Sequence, residues 1–236
     1  MARILVIPDI HLKTWMLQKA NDIKEPYDKV VMLGDFFDDF GRQNDIKAYA
    51  DTADAIADFI THHKSLGHEV IWCKGNHDMS YLWHMWDSGF SGVAVPVVRE
   101  GITKIENALG NAGYFVYQLD NTLFCHGGLT ESFVSAYCHK NEKMEQIIHC
   151  INQMRSDKLW SDISPIWARP QYNYRKYDLY GKDYLQVVGH TPMPDITMEH
   201  GCLSCDVFST HSDGSKYGCE RFVIVDTVAK TYEVIA

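Results

Sequence analysis

Apolar runs of four to six residues recur along the chain, and several of them stop abruptly at a short polar group. Arg3 to Pro8, Lys29 to Leu33, Glu69 to Cys73, Thr122 to Cys125 and Leu185 to Val188 are the runs that do so. A strand covered on both faces reads this way, because no alternating position has to meet water. Further strands are expected at Tyr114 to Gln118, Leu203 to Val207, Arg221 to Val225 and Thr231 to Ile235. Helical spacing marks Asp45 to Leu66, where Ile46, Tyr49, Ala53, Ile56, Ala57 and Ile60 share one face. Shorter helices are expected at Leu12 to Ile23, Glu131 to Tyr137 and Glu142 to Met154. Strands and helices thus alternate early, and the chain ends rich in strands.

The polar groups that follow these runs are Asp9-Ile10-His11, Gly34-Asp35 with Asp38, Gly75-Asn76-His77-Asp78, His126-Gly127-Gly128 and Gly189-His190-Thr191. In α/β sheets the functional loops gather at the carboxyl ends of the strands, so these loops can converge on one point. Carboxylates, neutral imidazoles and one amide oxygen are ligands for divalent ions such as Mn, Fe or Zn. A close pair of such ions activates water near neutral pH. The pattern points to a hydrolytic enzyme.

The order DxH, GDxxD, GNHD, HGG and GHTP resembles the calcineurin-like metallophosphoesterase superfamily, over roughly residues 5 to 210. The HGG triplet, the GHTP ending without a second histidine, and Trp167-Ala168-Arg169 are similar to the serine/threonine phosphatase branch and its bacterial and phage relatives. A lone DxH is usually a turn; all the pieces in this order are far more specific. The resemblance implies a four-layer α/β/β/α sandwich of two mixed sheets with helices outside.

It also implies roles. Asp9, His11 and Asp35 hold a first metal, and Asp35, Asn76, His126 and His190 a second, with Asp35 as the bridge. A carboxylate can offer one oxygen to each cation at the separation of roughly 3.5–4 Å usual for such pairs. Manganese is the expected metal, with iron or zinc as alternatives. His77 is the expected general acid, and Asp38 accepts its other ring N–H, fixing the tautomer and raising the imidazole pKa. Asn76 also borders the substrate phosphate. Asp78 supports the loop. Arg169 is the candidate phosphate clamp, because its planar fork can bind two phosphoryl oxygens, and Arg175 is the fallback. The remaining histidines, among them His62, His63 and His68, read as structural.

One position departs from the phosphatase pattern. Asp39 stands where that branch usually carries arginine, so an anion replaces a phosphate-binding cation unless Arg42 reaches back into the cleft. Aromatic residues cluster at Tyr81, Trp83 and Trp86 and again at Tyr172, Tyr174, Tyr177, Tyr180 and Tyr184. Lining the cleft mouth, where they could stack on a base or aryl group, and packing over the sheets are the two readings of them.

Composition narrows the partners. At 236 residues and 46% hydrophobic content the chain can build a real core, and no linker-like stretch divides it, so one domain over residues 1–236 is expected. No charged and apolar leader precedes the first strand, which suggests a soluble, cytoplasmic protein with no membrane partner. The net charge of −9 and the scattered lysines and arginines make long nucleic acid a poor partner. Seven cysteines without a secretion signal suggest free thiols. Cys202, Cys205 and Cys219 lack an evident fourth ligand for a structural zinc, and Cys73, Cys125 and Cys202 read as core residues on strands.

The resulting expectation is a dinuclear phosphoesterase that hydrolyses phosphomonoesters, on a phosphoprotein or small phosphorylated metabolite, by direct attack of metal-bound hydroxide. A phosphodiesterase or dinucleoside polyphosphate hydrolase is the alternative, favoured by Asp39 and the aromatic clusters. A non-catalytic scaffold is the rival from another class, opposed by the retention of every ligand together with His77 and Asp38.

Overall fold

In the computed structural model of the chain, described over residues 2–139 and 142–235, the apolar runs become two mixed five-stranded sheets with helices on both sides. The first sheet joins β1 (Arg3–Ile7), β2 (Lys29–Met32), β3 (Glu69–Trp72) and the last two strands of the chain. β1, β2 and β3 run parallel, with Ile4 opposite Lys29 and Val30 opposite Val70. The second sheet is built around β5 (Thr122–Cys125) and β6 (Leu185–Val188), also parallel, with β4 (Val116–Leu119) antiparallel at one edge. β7 (Thr197–Glu199) and β8 (Cys202–Ser204) complete its other side. β9 (Phe222–Asp226) and β10 (Thr231–Ile235) return to the first sheet, β9 antiparallel to β1.

Three helices pack near the first sheet. These are α1 (Trp15–Asn21), α2 (Ile46–Ser65) and α4 (Val95–Leu109), with α3 (Asn76–Trp83) leading from β3. The apolar stripe of α2 is buried from Tyr49 to Ile60, with Ile46 half-buried at its start, and Asp45 caps the helix by accepting from the Ala48 N–H at 3.1 Å. α5 (Glu131–Tyr137), α6 (Met144–Asn152) and the short α7 (Ser156–Leu159) follow β5, with α6 beside β4. The sheets meet through a buried core that includes Trp72, Phe36, Phe124 and Val187, and the Cys73 thiol donates to the Phe124 carbonyl at 3.5 Å.

Several boundaries differ from the sequence reading. The helix expected from Leu12 begins at Trp15, because His11 and Leu12 take positive φ of 44° and 61°. Their N–H groups instead reach across to the carbonyls of Asp35 and Phe36 at 2.9 and 3.0 Å, tying the first two polar loops together. α3, α4, α7 and β7 are elements the periodicity did not reveal. Among the described residues all seven cysteines are free thiols, and no helix is long and apolar enough to cross a membrane.

Candidate active site

β1, β2, β3, β5 and β6 deliver their polar loops to one place, because each set of parallel strands presents its carboxyl ends on the same side. Two clusters result. The ligand atoms of Asp9, His11 and Asp35 lie within 4.8 Å of one another, and so do those of Asp35, His126 and His190. Asp35 belongs to both. The Asn76 Oδ1 is 3.0 Å from the His126 Nε2, which places this amide oxygen beside the second cluster.

Backbone carbonyls set the imidazole tautomers. His126 turns Nδ1 to the Leu33 carbonyl at 2.7 Å, His190 turns Nε2 to the Trp167 carbonyl at 3.1 Å, and His11 turns Nδ1 to the Asp38 carbonyl at 2.8 Å. A ring nitrogen facing a carbonyl must carry the proton, so the opposite nitrogens present lone pairs. In the neutral rings the lone pairs of His126 Nε2 and His190 Nδ1 face each other at 3.1 Å, with an Asp35 oxygen 3.1 Å from the former. The Asp9 Oδ1 is buried with no hydrogen-bond partner. Acceptors converging on acceptors, and a buried carboxylate oxygen without a donor, are costly unless a cation lies among them. The donor set fits divalent transition metals.

Close backbone approach makes this convergence possible. A Cβ on Gly75 would stand 2.1 Å from the Asp35 Oδ1, and one on Gly189 would stand 2.1 Å from the Asp9 Oδ1. Both motif glycines therefore clear space for the Asp35 and Asp9 carboxylates. Asp78 accepts from the N–H groups of Asp35, Phe36 and Gly75 at 2.9, 2.8 and 3.2 Å, and burial lifts its carboxyl to about 7.

Electrostatics follow from burial and crowding. Burial, then the neighbouring Asp206, pushes the Asp9 carboxyl well up. Burial also raises Asp35, but the imidazoles of His126 and His77 overcome it and hold the group below the usual carboxylate range. Burial and His77 push His11 down to about 3, while burial and His126 push His190 well below 6.5. Against the cost of its own burial, the Asp35 and Asp9 carboxylates hold His126 up at about 9, so a cation bound among these groups would displace a proton from its Nε2.

His77 differs from these in its surroundings. Its Nδ1 lies 2.9 Å from the Asp38 Oδ2, and its backbone N–H donates to the Asp35 Oδ1 at 2.9 Å. Burial opposes its charge, yet the Asp35 field and the Asp38 hydrogen bond raise it to about 10. Asp38 is itself fixed by two phenols: the Tyr49 hydroxyl donates to its Oδ1 at 2.8 Å, and the Tyr81 hydroxyl contacts the same oxygen. A proton-bearing imidazole thus sits beside the acceptor clusters, both facing a cavity of about 400 Å³.

That cavity is lined by His11, Asp35, His77, His190 and Arg169, among others. Arg169 donates to the His190 carbonyl at 2.6 Å. Arg175 does not line it, and Arg42 is turned away, paired with Asp45 at 3.0 Å. The expectation that Arg42 could reach back is therefore corrected. Lys13 takes that place, its Nζ 3.7 Å from the Asp39 Oδ1. The cleft-lining reading of the tyrosine and tryptophan clusters is corrected as well, since none of them lines the cavity. Tyr81 is buried on Asp38, Trp83 packs on Phe115 and Trp160, and Trp86 is exposed. The aromatic side chain in the lining is Phe40.

Sequence reasoning missed Lys13, Asp87 and Asp206. Asp87 accepts from the Asn76 side-chain amide, which turns the Asn76 oxygen toward His126. Asp206 is buried in the cavity lining, with one oxygen accepting from Ser209 at 2.9 Å and the other without a partner. Asp206 fell inside the strand expected over Leu203 to Val207; β8 ends at Ser204, which leaves Asp206 in the loop beyond it.

Comparison with known proteins gives three kinds of result. Residues 2–223 match the family model for calcineurin-like phosphoesterase. None of the curated proteins matches the chain. Among solved structures, the chain is similar to a cold-active protein-tyrosine phosphatase of a psychrophilic Shewanella, at 15% identity and a TM-score of 0.61, covering 100% of this chain and 81% of that one. It is similar to a protein serine/threonine phosphatase from Saccharomyces cerevisiae at 12% identity and a TM-score of 0.58, covering 99% and 79%. A metallophosphoesterase from Sphaerobacter thermophilus aligns at 14% identity and a TM-score of 0.51, covering 100% and 88%. At these identities the structural likeness speaks to the fold.

Proposed function

This chain belongs to the calcineurin-like phosphoesterase family, a family of metal-dependent phosphoester hydrolases, and from that premise we propose that it hydrolyses phosphomonoesters with two divalent ions, manganese by preference. The observation that carries this reading is the convergence of carboxylate and imidazole groups in two clusters that share Asp35, beside the His77–Asp38 pair, with His11, Asp35, His77 and His190 facing one cavity. Asp9, His11 and Asp35 would hold one ion, and Asp35, Asn76, His126 and His190 the other. Bound there, the ions supply activation of water and neutralisation of the phosphoryl charge.

The remaining work falls to the chain. His77 donates its Nε2 proton to the leaving oxygen as the P–O bond breaks, and Asp38 keeps Nδ1 protonated throughout. Tyr49 and Tyr81 hold Asp38 in the orientation this requires. Arg169, anchored on the His190 carbonyl, offers its remaining N–H groups to the phosphoryl oxygens. A phosphorylated protein side chain or small metabolite is the substrate class that this arrangement suits. The diester alternative loses its motivation, because Asp39 is paired with a lysine and the aromatic clusters lie elsewhere.

Nitrophenyl phosphate and bis-nitrophenyl phosphate, assayed side by side with added manganese, test the proposal. A higher kcat/KM for the monoester, lost with chelator and restored by metal, is the expected result. Preference for the diester would overturn the monoester reading, and partner binding without any turnover would favour a scaffold.

A further inference from the structure

We infer that Lys13 is a substrate-binding cation, receiving a non-bridging phosphoryl oxygen in place of the arginine that position 39 lacks. The inference rests on the phosphoesterase reading of the same cavity and adds to it the residue that recognises the anion. Lys13 lines that cavity together with His11, Asp35 and Arg169, yet its side chain is only 8% exposed. An ammonium has three N–H donors. Among the described residues the hydrogen-bond acceptor it meets is the His11 carbonyl, at a long 3.4 Å, and the Asp39 carboxylate at 3.7 Å stands beyond hydrogen-bond reach. A buried ammonium with unused donors is costly, and the cavity it faces is where an anion could satisfy them.

The surrounding carboxylates are held so as to leave it free for this. Asp39 also accepts from the Thr210 hydroxyl at 3.3 Å, and Asp206 from Ser209 at 2.9 Å. Each keeps a negative charge near Lys13 without closing a short hydrogen bond to it. Asp39 therefore acts as a holder of the cation that also competes mildly with the substrate for it. A purely structural Lys13–Asp39 pair would behave otherwise: deleting either partner would disturb the site in the same direction.

The test uses the manganese-loaded full chain and reads the inhibition constant of inorganic phosphate against nitrophenyl phosphate turnover, with metal content measured in parallel. Lys13→Met is expected to raise that constant about tenfold, equivalent to about 1.4 kcal/mol, with both metals retained. Asp39→Asn is expected to lower it severalfold, and Lys13→Arg to recover most of the affinity that Lys13→Met loses. An unchanged constant in metal-replete Lys13→Met, or shifts of the same sign in Lys13→Met and Asp39→Asn, would overturn the inference and leave the phosphoesterase reading standing. Should Lys13→Met fail to fold, Asp39→Asn decides alone, since weaker phosphate binding there contradicts the proposal. Metal-loaded wild type with neither turnover nor phosphate affinity would overturn both.

Discussion

Replacing His77 by asparagine is expected to separate the ester substrates by their leaving groups. The ring is held by Asp38 at 2.9 Å and raised to about 10 despite its burial, so at neutral pH it carries a proton it can give away. Loss of a general acid costs about 10² to 10⁴ in rate, or about 2.7–5.4 kcal/mol at 1.36 kcal/mol per decade. An alkoxide leaving group such as that of phosphoserine should bear the whole loss in kcat, whereas nitrophenolate, already stable as an anion, should bear little. The pH profile carries the same information. A raised pKa means that the acid is present below that value and is lost as pH rises through it, which produces an alkaline limb. Bound metals take up part of the Asp35 field, so the limb should lie between the ordinary imidazole value of about 6.5 and the value of about 10 set by the protein alone. Asp38→Asn removes a charge worth on the order of 4 kcal/mol at 4 Å and an effective dielectric of 20, or about three pKa units. The limb should move to lower pH by at least about one unit. Stopped assays on phosphoserine peptide and continuous assays on nitrophenyl phosphate measure both effects. Equal losses on the two substrates in His77→Asn, or a limb that stays in place in Asp38→Asn, would refute the acid role.

Asp35→Asn removes the carboxylate shared by both clusters and should leave at most one metal per chain by elemental analysis, with activity down on the order of 10²-fold or more and the circular dichroism unchanged. Gly189→Ala places a Cβ against the Asp9 carboxylate, so it should displace that ligand and lower metal affinity, with a stability cost of about 1–3 kcal/mol by denaturant titration. Asp87→Ala frees the Asn76 amide to turn its nitrogen inward, and a metal titration should show affinity reduced about 10- to 100-fold.

β1, β2, β5, β6 and β9 were legible because they are buried on both faces, which makes them apolar almost without interruption. β7 escaped notice because it is a three-residue strand with two exposed positions, stabilised by pairing with β8 and not by a core face of its own. α4 is the larger omission. Its buried Val98, Ile102, Ile105 and Leu109 do follow helical spacing, but Pro96 and Gly101 break the run to the eye. The proline lies in the first turn, where a missing N–H costs nothing, and a side chain on Gly101 would collide with Ala53 of α2. Both residues are explained by position and packing, and neither opposes the helix.

The residues brought together at the candidate site divide along the same line. Asp9, His11, Asp35, Asn76, His126 and His190 could be found because each follows a strand within a short, chemically restricted segment. Tyr49, Asp87, Asp206 and Lys13 carry no such local mark, since their significance lies in contacts across loops that only the fold brings together. Asp39 shows what this costs in electrostatic reasoning. Taken within its own segment, its anion would oppose a phosphoryl group by about 2 kcal/mol at 8 Å and an effective dielectric of 20. In the fold Lys13, contributed by the loop after β1, stands 3.7 Å away, where the same expression gives about 4.5 kcal/mol for the opposite charge. The closer pair dominates, so the field that a substrate meets on this side is that of a lysine and its counter-ion together, and the sign of the charge at position 39 alone does not decide which ester the cavity accepts.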